Sequence, residues 1–416
     1  MEKSLARISN NLKNNMKHLR SLIIVTALGY FVDIYDLILF SIVRVQSLTS
    51  LGVAADQLMN VGVYLINAQM IGMLIGGVIW GIMGDKKGRL TVLFGSILVY
   101  SIANIANAYV QDIQTYAIIR FIAGIGLAGE LGAGITLVTE SMSKEKRGYG
   151  TMIVASIGLM GAVFAAFITD HFEWRTAYLI GGVLGFLLLL MRVSVTESSM
   201  FTSAKKEAHQ LADFKILFNN RTRFLNYLNC ILIGLPVWFV VGILITFSPE
   251  IAKEIGITEP ISVGKGILYC YLGTAIGDIA SGVLSQILRS RKKVVFLFLI
   301  MILLSSTWFL YSGLSNAAAL YQIAFVLGFS AGYWALFVTI ASEQFGTNIR
   351  STVTTTVPNF VRAAVVPLTL GFAFAKQSMG AINAAYLVGL ISIGIALFAI
   401  FQIKETFGKD LDYIEK

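Results

Sequence analysis

The stretch SLIIVTALGYFVDIYDLILFSIV, from Ser21 to Val43, is long and apolar enough to span a membrane, yet it carries Asp33 and Asp36. A charge at bilayer depth costs roughly 2.5 to 17 kcal/mol, depending on how the cost is measured. Such a residue persists only where it is paired or used. We therefore interpret the two aspartates as functional groups inside a membrane helix.

The rest of the chain has the same apolar character. Of its 416 residues, 56% are hydrophobic and 13% are charged, and the mean hydropathy is +0.76. A spanning helix needs about 20 apolar residues, and about twelve stretches meet that length. They lie near residues 21–43, 59–83, 90–110, 114–140, 149–169, 176–195, 224–247, 264–288, 294–313, 319–342, 352–375 and 383–403. The predicted fold is an all-α membrane protein of twelve transmembrane helices.

Basic residues set the expected orientation, because short cytoplasmic loops carry excess Lys and Arg. Most of the 32 basic residues lie in the N-terminal arm and in the joints after even-numbered spans, so both termini are expected in the cytoplasm. The net charge of +9 follows this topology and forms no stripe with interleaved aromatics. We therefore expect the lipid bilayer, and not nucleic acid, as the surrounding partner.

The longest polar joint divides the twelve spans into two groups of six. The expected organisation is an arm (1–20), an N-terminal six-helix bundle (21–195), a cytoplasmic linker (196–222), a C-terminal six-helix bundle (223–403) and a cytoplasmic tail (404–416). The halves match at an offset of about 203 residues, since Glu140 and Arg147 recur as Glu343 and Arg350. Such parallel repeats indicate two pseudo-symmetric halves with a binding site between them.

The joint after the second span reads GIMGDKKGRL, from Gly81 to Leu90. Its glycines, including Gly81 and Gly88, allow close helix approach and a tight turn, while Asp85 and Arg89 are placed to pair at a helix end. This motif resembles the signature loop of the major facilitator superfamily. The resemblance implies alternating access and a cytoplasmic gate, to which we also assign the pairs Glu140/Arg147 and Glu343/Arg350.

The fourth span reads RFIAGIGLAGELGAG, from Arg120 to Gly134. It is similar to the Arg-x3-Gly-x4-Gly-Glu-x-Gly pattern of the metabolite:proton symporters, and Asp33-Ile34-Tyr35-Asp36 resembles their first-span motif. The segments VTESSMF (195–201) and KETFGKDLDYIE (404–415) resemble elements of the related sugar porters and metabolite symporters. This resemblance implies proton-coupled uptake of a small metabolite.

Depth along the helices predicts which charges meet. At 1.5 Å per residue, Asp36 lies about 24 Å from Arg20 and Arg120 about 30 Å from Glu140, so both reach comparable height. We predict Asp36 as the protonation site and Arg120 as its partner. Asp33, on the same helix face, is a candidate for tuning the site or carrying the proton itself.

Other membrane charges and aromatics complete the candidate site. Glu130 is either a second proton carrier or an acceptor for an inter-helix donor, and Asp278 is either a structural hydrogen-bonding group or a substrate contact. Arg362, between Pro358 and Pro367, is expected to attract a substrate carboxylate near the midplane. The aromatic candidates for substrate contact are Tyr333, Trp334 and Trp238.

Absent patterns narrow the function. The chain lacks the Gln-Gln-x-x-Gly element of sugar porters in its seventh span and the Gly-Pro element of drug antiporters in its fifth. No nucleophile-base or metal constellation is visible, so neither an enzyme nor a cofactor is expected. The sequence predicts a monomeric proton-coupled importer of a small organic acid. A uniporter or exchanger of an organic anion or sugar remains open, with a drug antiporter further behind.

Overall fold

The computed structural model describes residues 2–54, 57–143, 146–192 and 216–415, with the backbone alone for residues 2–18, 59 and 60. Two features interpreted from the sequence lie outside these ranges. They are the segment VTESSMF and the linker 196–222 up to residue 215.

All regular elements within the described ranges are helical. The α-helices are α1 (Glu2–Ser50), α2 (Leu58–Lys87), α3 (Arg89–Asn107), α4 (Ile113–Leu127), α5 (Glu130–Ser141), α6 (Arg147–His171), α7 (Trp174–Met191), α8 (Ile216–Asn219), α9 (Arg221–Phe239), α10 (Ser248–Ile255), α11 (Val263–Ile287), α12 (Arg291–Tyr311), α13 (Ala317–Ser330), α14 (Trp334–Gln344), α15 (Arg350–Ala363) and α16 (Val365–Gln402). A π-helix, Val240–Ile245, continues α9.

Eleven helical stretches of the described chain are long and apolar enough to cross a membrane. The last of them, Arg350–Gln402, contains 53 residues, which is about 80 Å of helix against a hydrocarbon core of about 30 Å. Its helix is interrupted at Gly380, where φ is 78° and ψ is 172°. An L side chain rarely adopts that φ, so the glycine permits the chain to change direction there.

The helix boundaries repeat along the chain. The α4–α5 pair and the α13–α14 pair are both interrupted near their middle, and α5 begins at Glu130 as α14 begins at Trp334. Asp112 caps α4 and Asn316 caps α13, each accepting a backbone N–H at 2.8 Å. These matches fall close to the offset of about 203 residues read from the sequence.

Polarity in the molecule is reversed relative to a water-soluble protein. Apolar side chains such as Phe374 and Leu190 are 80% and 73% exposed, as expected of a surface facing lipid. The largest fully buried side chains of the described chain are headed by arginines: Arg89, Arg120, Arg147, Arg192, Arg291, Arg350 and Arg362. Buried arginines need partners, so the polar chemistry of this chain lies in its interior.

The N-terminal helices (α1–α7) meet the C-terminal helices (α8–α16) mainly through two pairs, α2 with α15 and α6 with α11. Small residues allow this approach, since a Cβ added at Gly81 would lie 2.8 Å from the Thr352 Cα. Gly88, between α2 and α3, has a φ of 106°, which supports the tight turn predicted there.

Candidate functional site

A small central cavity lies where the N-terminal and C-terminal helices meet. Its wall contains hydroxyl groups, indole rings and one cation. The polar and aromatic residues that line it are Tyr30, Trp238, Tyr271, Thr274, Trp334 and Arg362. This composition fits a small organic molecule with an apolar body and an anionic group.

Arg362 lies on α15, one turn after Pro358, and is only 1% exposed. Its Nη2 lies 3.7 Å from Oδ2 of Asp33 on α1, and its Nη1 donates to Asn359 Oδ1 at 3.3 Å. The guanidinium also lies 5.6 Å from the ring centroid of Trp334. The partner of Arg362 is therefore an aspartate of the N-terminal helices.

The predicted contact between Asp36 and Arg120 is not formed in this structure. Arg120 instead donates to Gln69 Oε1 and, at 3.4 Å, to the Tyr178 hydroxyl, while its guanidinium lies 4.8 Å from the centroid of Phe40. Neither carboxylate oxygen of the buried Asp36 accepts a hydrogen bond within 3.5 Å in the described chain, and Asn104 is a neighbouring side-chain donor. The direct pair expected from depth alone is thus wrong for this conformation, because neutral side chains hold the arginine.

The two residues nevertheless share a neighbourhood. A Cβ added at Gly181 of α7 would collide with Asp36 Oδ1, and Tyr178, which binds Arg120, lies one turn away on the same helix. Phe40, under the guanidinium, is one turn from Asp36 on α1. Arg120 and Asp36 therefore lie near the same parts of α1 and α7, although they do not pair.

Glu130 has a partner that the sequence analysis missed. Arg192, just after α7, donates to both carboxylate oxygens of Glu130 and to the Leu93 carbonyl at 3.0 Å. Both side chains of the ion pair are essentially unexposed. Of the two roles considered for Glu130, this geometry favours acceptor of an inter-helix donor over proton carrier.

Two candidates for substrate contact instead have structural bonds. Oδ1 of Asp278 accepts the Ala335 N–H at 3.1 Å and so satisfies the N-terminus of α14. The Tyr333 hydroxyl donates to the Ile233 carbonyl at 2.8 Å and does not line the cavity. Their spans suggested the membrane interior but could not tell a helix break from a ligand contact.

Trp238 and Trp334 do face the cavity, and their rings meet edge to face at 6.5 Å. Trp238 follows Pro236, which cannot donate a backbone hydrogen bond, and the π-helix begins two residues later. Such a local change of helix type places side chains at functional sites.

At the end of the bundle where α2 ends and α15 begins, four buried residues form a cluster that we term the charged gate: Asp85, Arg89, Glu140 and Arg350. Glu140 accepts from Arg89 at 2.8 Å and from Arg350 at 3.0 Å. Asp85 accepts the N–H groups of Ser351 at 3.0 Å and Thr352 at 2.8 Å, at the N-terminus of α15. These bonds join the N-terminal and C-terminal helices, so this end is closed.

The predicted pairing within the gate is corrected by these distances. Glu140 binds Arg350 and Arg89, and Glu343 binds Arg291 at 3.3 Å. Arg147 is buried but has no ion pair within 4 Å in the described chain. Sequence spacing paired each glutamate with the arginine of its own repeat, whereas the fold brings Arg350 to the glutamate of the other repeat.

The C-terminal tail, residues 404–415, lies against the charged gate. Arg350 Nη2 donates to the Leu411 carbonyl at 2.6 Å, and Glu415 pairs with Arg223 at 3.1 Å. Glu405 accepts from Ser290 at 2.5 Å and from the Arg291 N–H at 2.9 Å. Burial raises the pKa of Glu405, but these hydrogen bonds outweigh it and hold the pKa below its usual range.

At the opposite end the cavities open outward in series. A small middle cavity shares Trp238 and Val241 with the central cavity. It shares Ser41 and Arg44 with a vestibule of about 680 Å³. The central site therefore lies at the inner end of a series of adjacent cavities that extends toward the end away from the charged gate.

Comparison with known proteins agrees with this architecture. The sequence profile described as Major Facilitator Superfamily matches residues 26–362. The chain is similar to the solved structure of the proton:xylose symporter XylE bound to 6-bromo-6-deoxy-D-glucose, with a TM-score of 0.75, 17% identity and coverage of 96% of this chain and 98% of that one.

Two curated relatives indicate the range of similar sequences. The putative niacin/nicotinamide transporter NiaP of Bacillus subtilis is 26% identical over 407 residues, which cover 94% of this chain and 98% of that protein. The 3-(3-hydroxy-phenyl)propionate transporter of Escherichia coli is 27% identical over 341 residues, which cover 80% of this chain and 78% of that one.

Proposed function

Because the chain belongs to the major facilitator superfamily, as a multi-pass protein of the cell membrane, we propose that it imports a small organic monocarboxylate together with a proton. The observation that carries the proposal is the buried ion pair between Asp33 and Arg362, which joins α1 to α15 at an arginine that lines the central cavity. A substrate carboxylate binds Arg362 in place of Asp33.

Charge balance explains why a proton accompanies the substrate. Asp33, Asp36, Arg120 and Arg362 together are neutral when both acids are ionised. We propose that Asp36 is the protonated acid in this conformation, because neutral groups hold Arg120 and no hydrogen bond within 3.5 Å reaches the Asp36 carboxylate in the described chain, so the set carries one positive charge. One carboxylate then restores neutrality.

Alternating access follows from this balance. The empty carrier with Asp36 ionised beside Arg120 is neutral, and so is the carrier loaded with one proton and one carboxylate. Carriers loaded with either alone carry a net charge, which is costly to enclose in the membrane interior. Proton and anion therefore cross together. Glu130 and Asp278 do not enter this charge balance. Arg192 compensates the charge of Glu130, and the N-terminus of α14 compensates that of Asp278.

We infer the substrate class from the residues that line the central cavity. Trp238 and Trp334 offer flat apolar surfaces beside the cation of Arg362, which suits a planar ring bearing a carboxylate. Among similar proteins, one is named for niacin and nicotinamide and another for 3-(3-hydroxy-phenyl)propionate. We propose small aromatic acids as the first substrates to test.

The membrane arrangement completes the proposal. Dividing the 53-residue stretch at Gly380 gives twelve spans in two six-helix halves that rock about the central site. The excess of basic residues on one side supports a cytoplasmic location for both termini, and with them for the charged gate. Since one chain builds the whole cavity, a monomer is the transporting unit.

Uptake by reconstituted protein tests the function. An inward proton gradient should drive accumulation of nicotinate in proteoliposomes, whereas a potassium diffusion potential at equal pH should not. Nicotinamide, which has a similar shape but no charge, should show no proton-driven accumulation. Uptake that needs an internal counter-substrate and ignores the pH gradient would instead establish an exchanger.

A further inference from the structure

We propose that Arg44 forms a second, outer anion-binding site, which captures the substrate carboxylate before it reaches Arg362. This inference rests on the proposed function, because it assumes an anionic substrate. Arg44 lies on α1, eight residues beyond Asp36 and so about 12 Å further along the helix. It borders both the vestibule and the middle cavity.

The surroundings of Arg44 present its charge to the cavity. It is the sole ionisable side chain among the described residues that line the middle cavity. Its stem is fixed against α2, since a Cβ added at Gly62 would lie 2.5 Å from Arg44 Cδ. A fixed cation in a narrow apolar passage attracts anions more strongly than a solvated one does.

The guanidinium of Arg44 also has no close carboxylate among the residues that the structure describes. Within the described chain no carboxylate lies within 4 Å of it, and its buried Nε has no hydrogen-bond acceptor. Glu250 of α10 interacts with it only at longer range. A buried donor without an acceptor is costly in a folded protein, and a bound carboxylate would supply the acceptor that this one lacks.

The vestibule itself does not favour anions over cations. Its described wall carries Asp170 and Glu250 as well as Lys265, so acidic and basic groups are mixed there. Where the vestibule narrows into the middle cavity, Arg44 is the sole charged residue among the described lining residues. Carboxylates are therefore favoured over cations and neutral solutes at this point.

Initial rates of nicotinate and nicotinamide uptake, measured at low and high ionic strength, test the site. Arg44→Gln should raise the KM for nicotinate about three- to tenfold with kcat within about twofold, and should flatten its salt dependence. Nicotinamide uptake should not change. Arg44→Lys, which keeps the charge, should retain most of the nicotinate affinity.

Lys265→Gln is the matched control, because it removes one positive charge from the same vestibule but outside the middle cavity. Lys265→Gln should leave the uptake rates of nicotinate and nicotinamide unchanged. Equal changes for nicotinate and nicotinamide in Arg44→Gln, or the same effect from Lys265→Gln, would overturn the outer site while leaving the proposed function standing. Absence of proton-driven nicotinate uptake in the unmodified protein would overturn both.

Discussion

The hydroxyl of Thr139 lies 3.2 Å from the hydroxyl of Ser342, its counterpart 203 positions later in the chain. A residue that contacts its own repeat copy marks a pseudo-two-fold axis between the repeats. The hydrogen bond between Arg350 and Glu140, the residue after Thr139, also joins the two repeats. The charged gate therefore lies on the axis about which the two halves are related, where a small rotation separates many bonds at once.

Arg350→Gln should weaken the closed gate. The change leaves Glu140 buried with Arg89 as its remaining close cation, and breaking a buried ion pair costs about 3–5 kcal/mol. We expect a cysteine placed at Thr355, which packs against Gly132 in the closed state, to react several-fold faster with a membrane-impermeant maleimide. Arg147→Gln should not change that rate, and similar acceleration by both variants would argue against a specific gate bond.

Asp36→Asn should uncouple the proton. The amide imitates the protonated acid, so the loaded carrier remains neutral but the empty carrier cannot reach its neutral form. Proton-driven accumulation of nicotinate should be abolished while counterflow between equal nicotinate pools persists. Unchanged accumulation in this variant would remove Asp36 from the coupling mechanism. Asp112→Asn, at the cap of α4, controls for loss of an acid elsewhere.

Asp33→Asn should separate binding from turnover. Without its competitor, Arg362 is free for the substrate, so the half-saturation for nicotinate should fall, by up to about tenfold for 1.4 kcal/mol of competition. The empty carrier then keeps an extra positive charge, so net uptake should slow and become sensitive to membrane potential. A weaker nicotinate affinity would show that Asp33 contacts the substrate directly.

The sequence predicted the helical membrane fold well, because hydropathy and span length are properties of single segments. It also located most of the important charges, since a buried aspartate or arginine is conspicuous in an apolar helix. Asp33 and Arg362 were identified this way, whereas the gate residues were identified from the loop motif and the repeat spacing. The offset of about 203 residues was visible because it needs only pairs of matching positions.

The residue with which each buried charge pairs could not be predicted from the same patterns. Arg192 was missed because its position at a helix end resembles an ordinary flanking residue, and only the fold brings it to Glu130. Arg120 was placed at the right depth, but depth does not distinguish Asp36 from Gln69 and Tyr178 on neighbouring helices. Rotation about each helix axis is fixed by packing, which a single segment does not reveal.

Arg362→Gln should raise the half-saturation for nicotinate at least tenfold and affect nicotinamide much less, because only the carboxylate loses a charged partner. The single change also leaves Asp33 buried without its cation, which should lower the melting temperature. Asp33→Asn combined with Arg362→Gln should recover that stability without recovering nicotinate affinity. Equal loss for both solutes in the stable double variant would identify a structural arginine.

Removing residues 411–416 should weaken the charged gate, because the C-terminal tail lies against it. The deletion takes away the Leu411 carbonyl that Arg350 bonds at 2.6 Å and the Glu415 carboxylate that pairs with Arg223. Freed from the tail, Arg350 still reaches Glu140 but is held by fewer bonds, so maleimide labelling at Thr355→Cys should rise by less than in Arg350→Gln. Arg223→Gln isolates the second contact, which is more exposed than the first and should contribute little. Labelling as fast as in Arg350→Gln would instead mean that the tail holds the gate as strongly as the ion pair to Glu140 does.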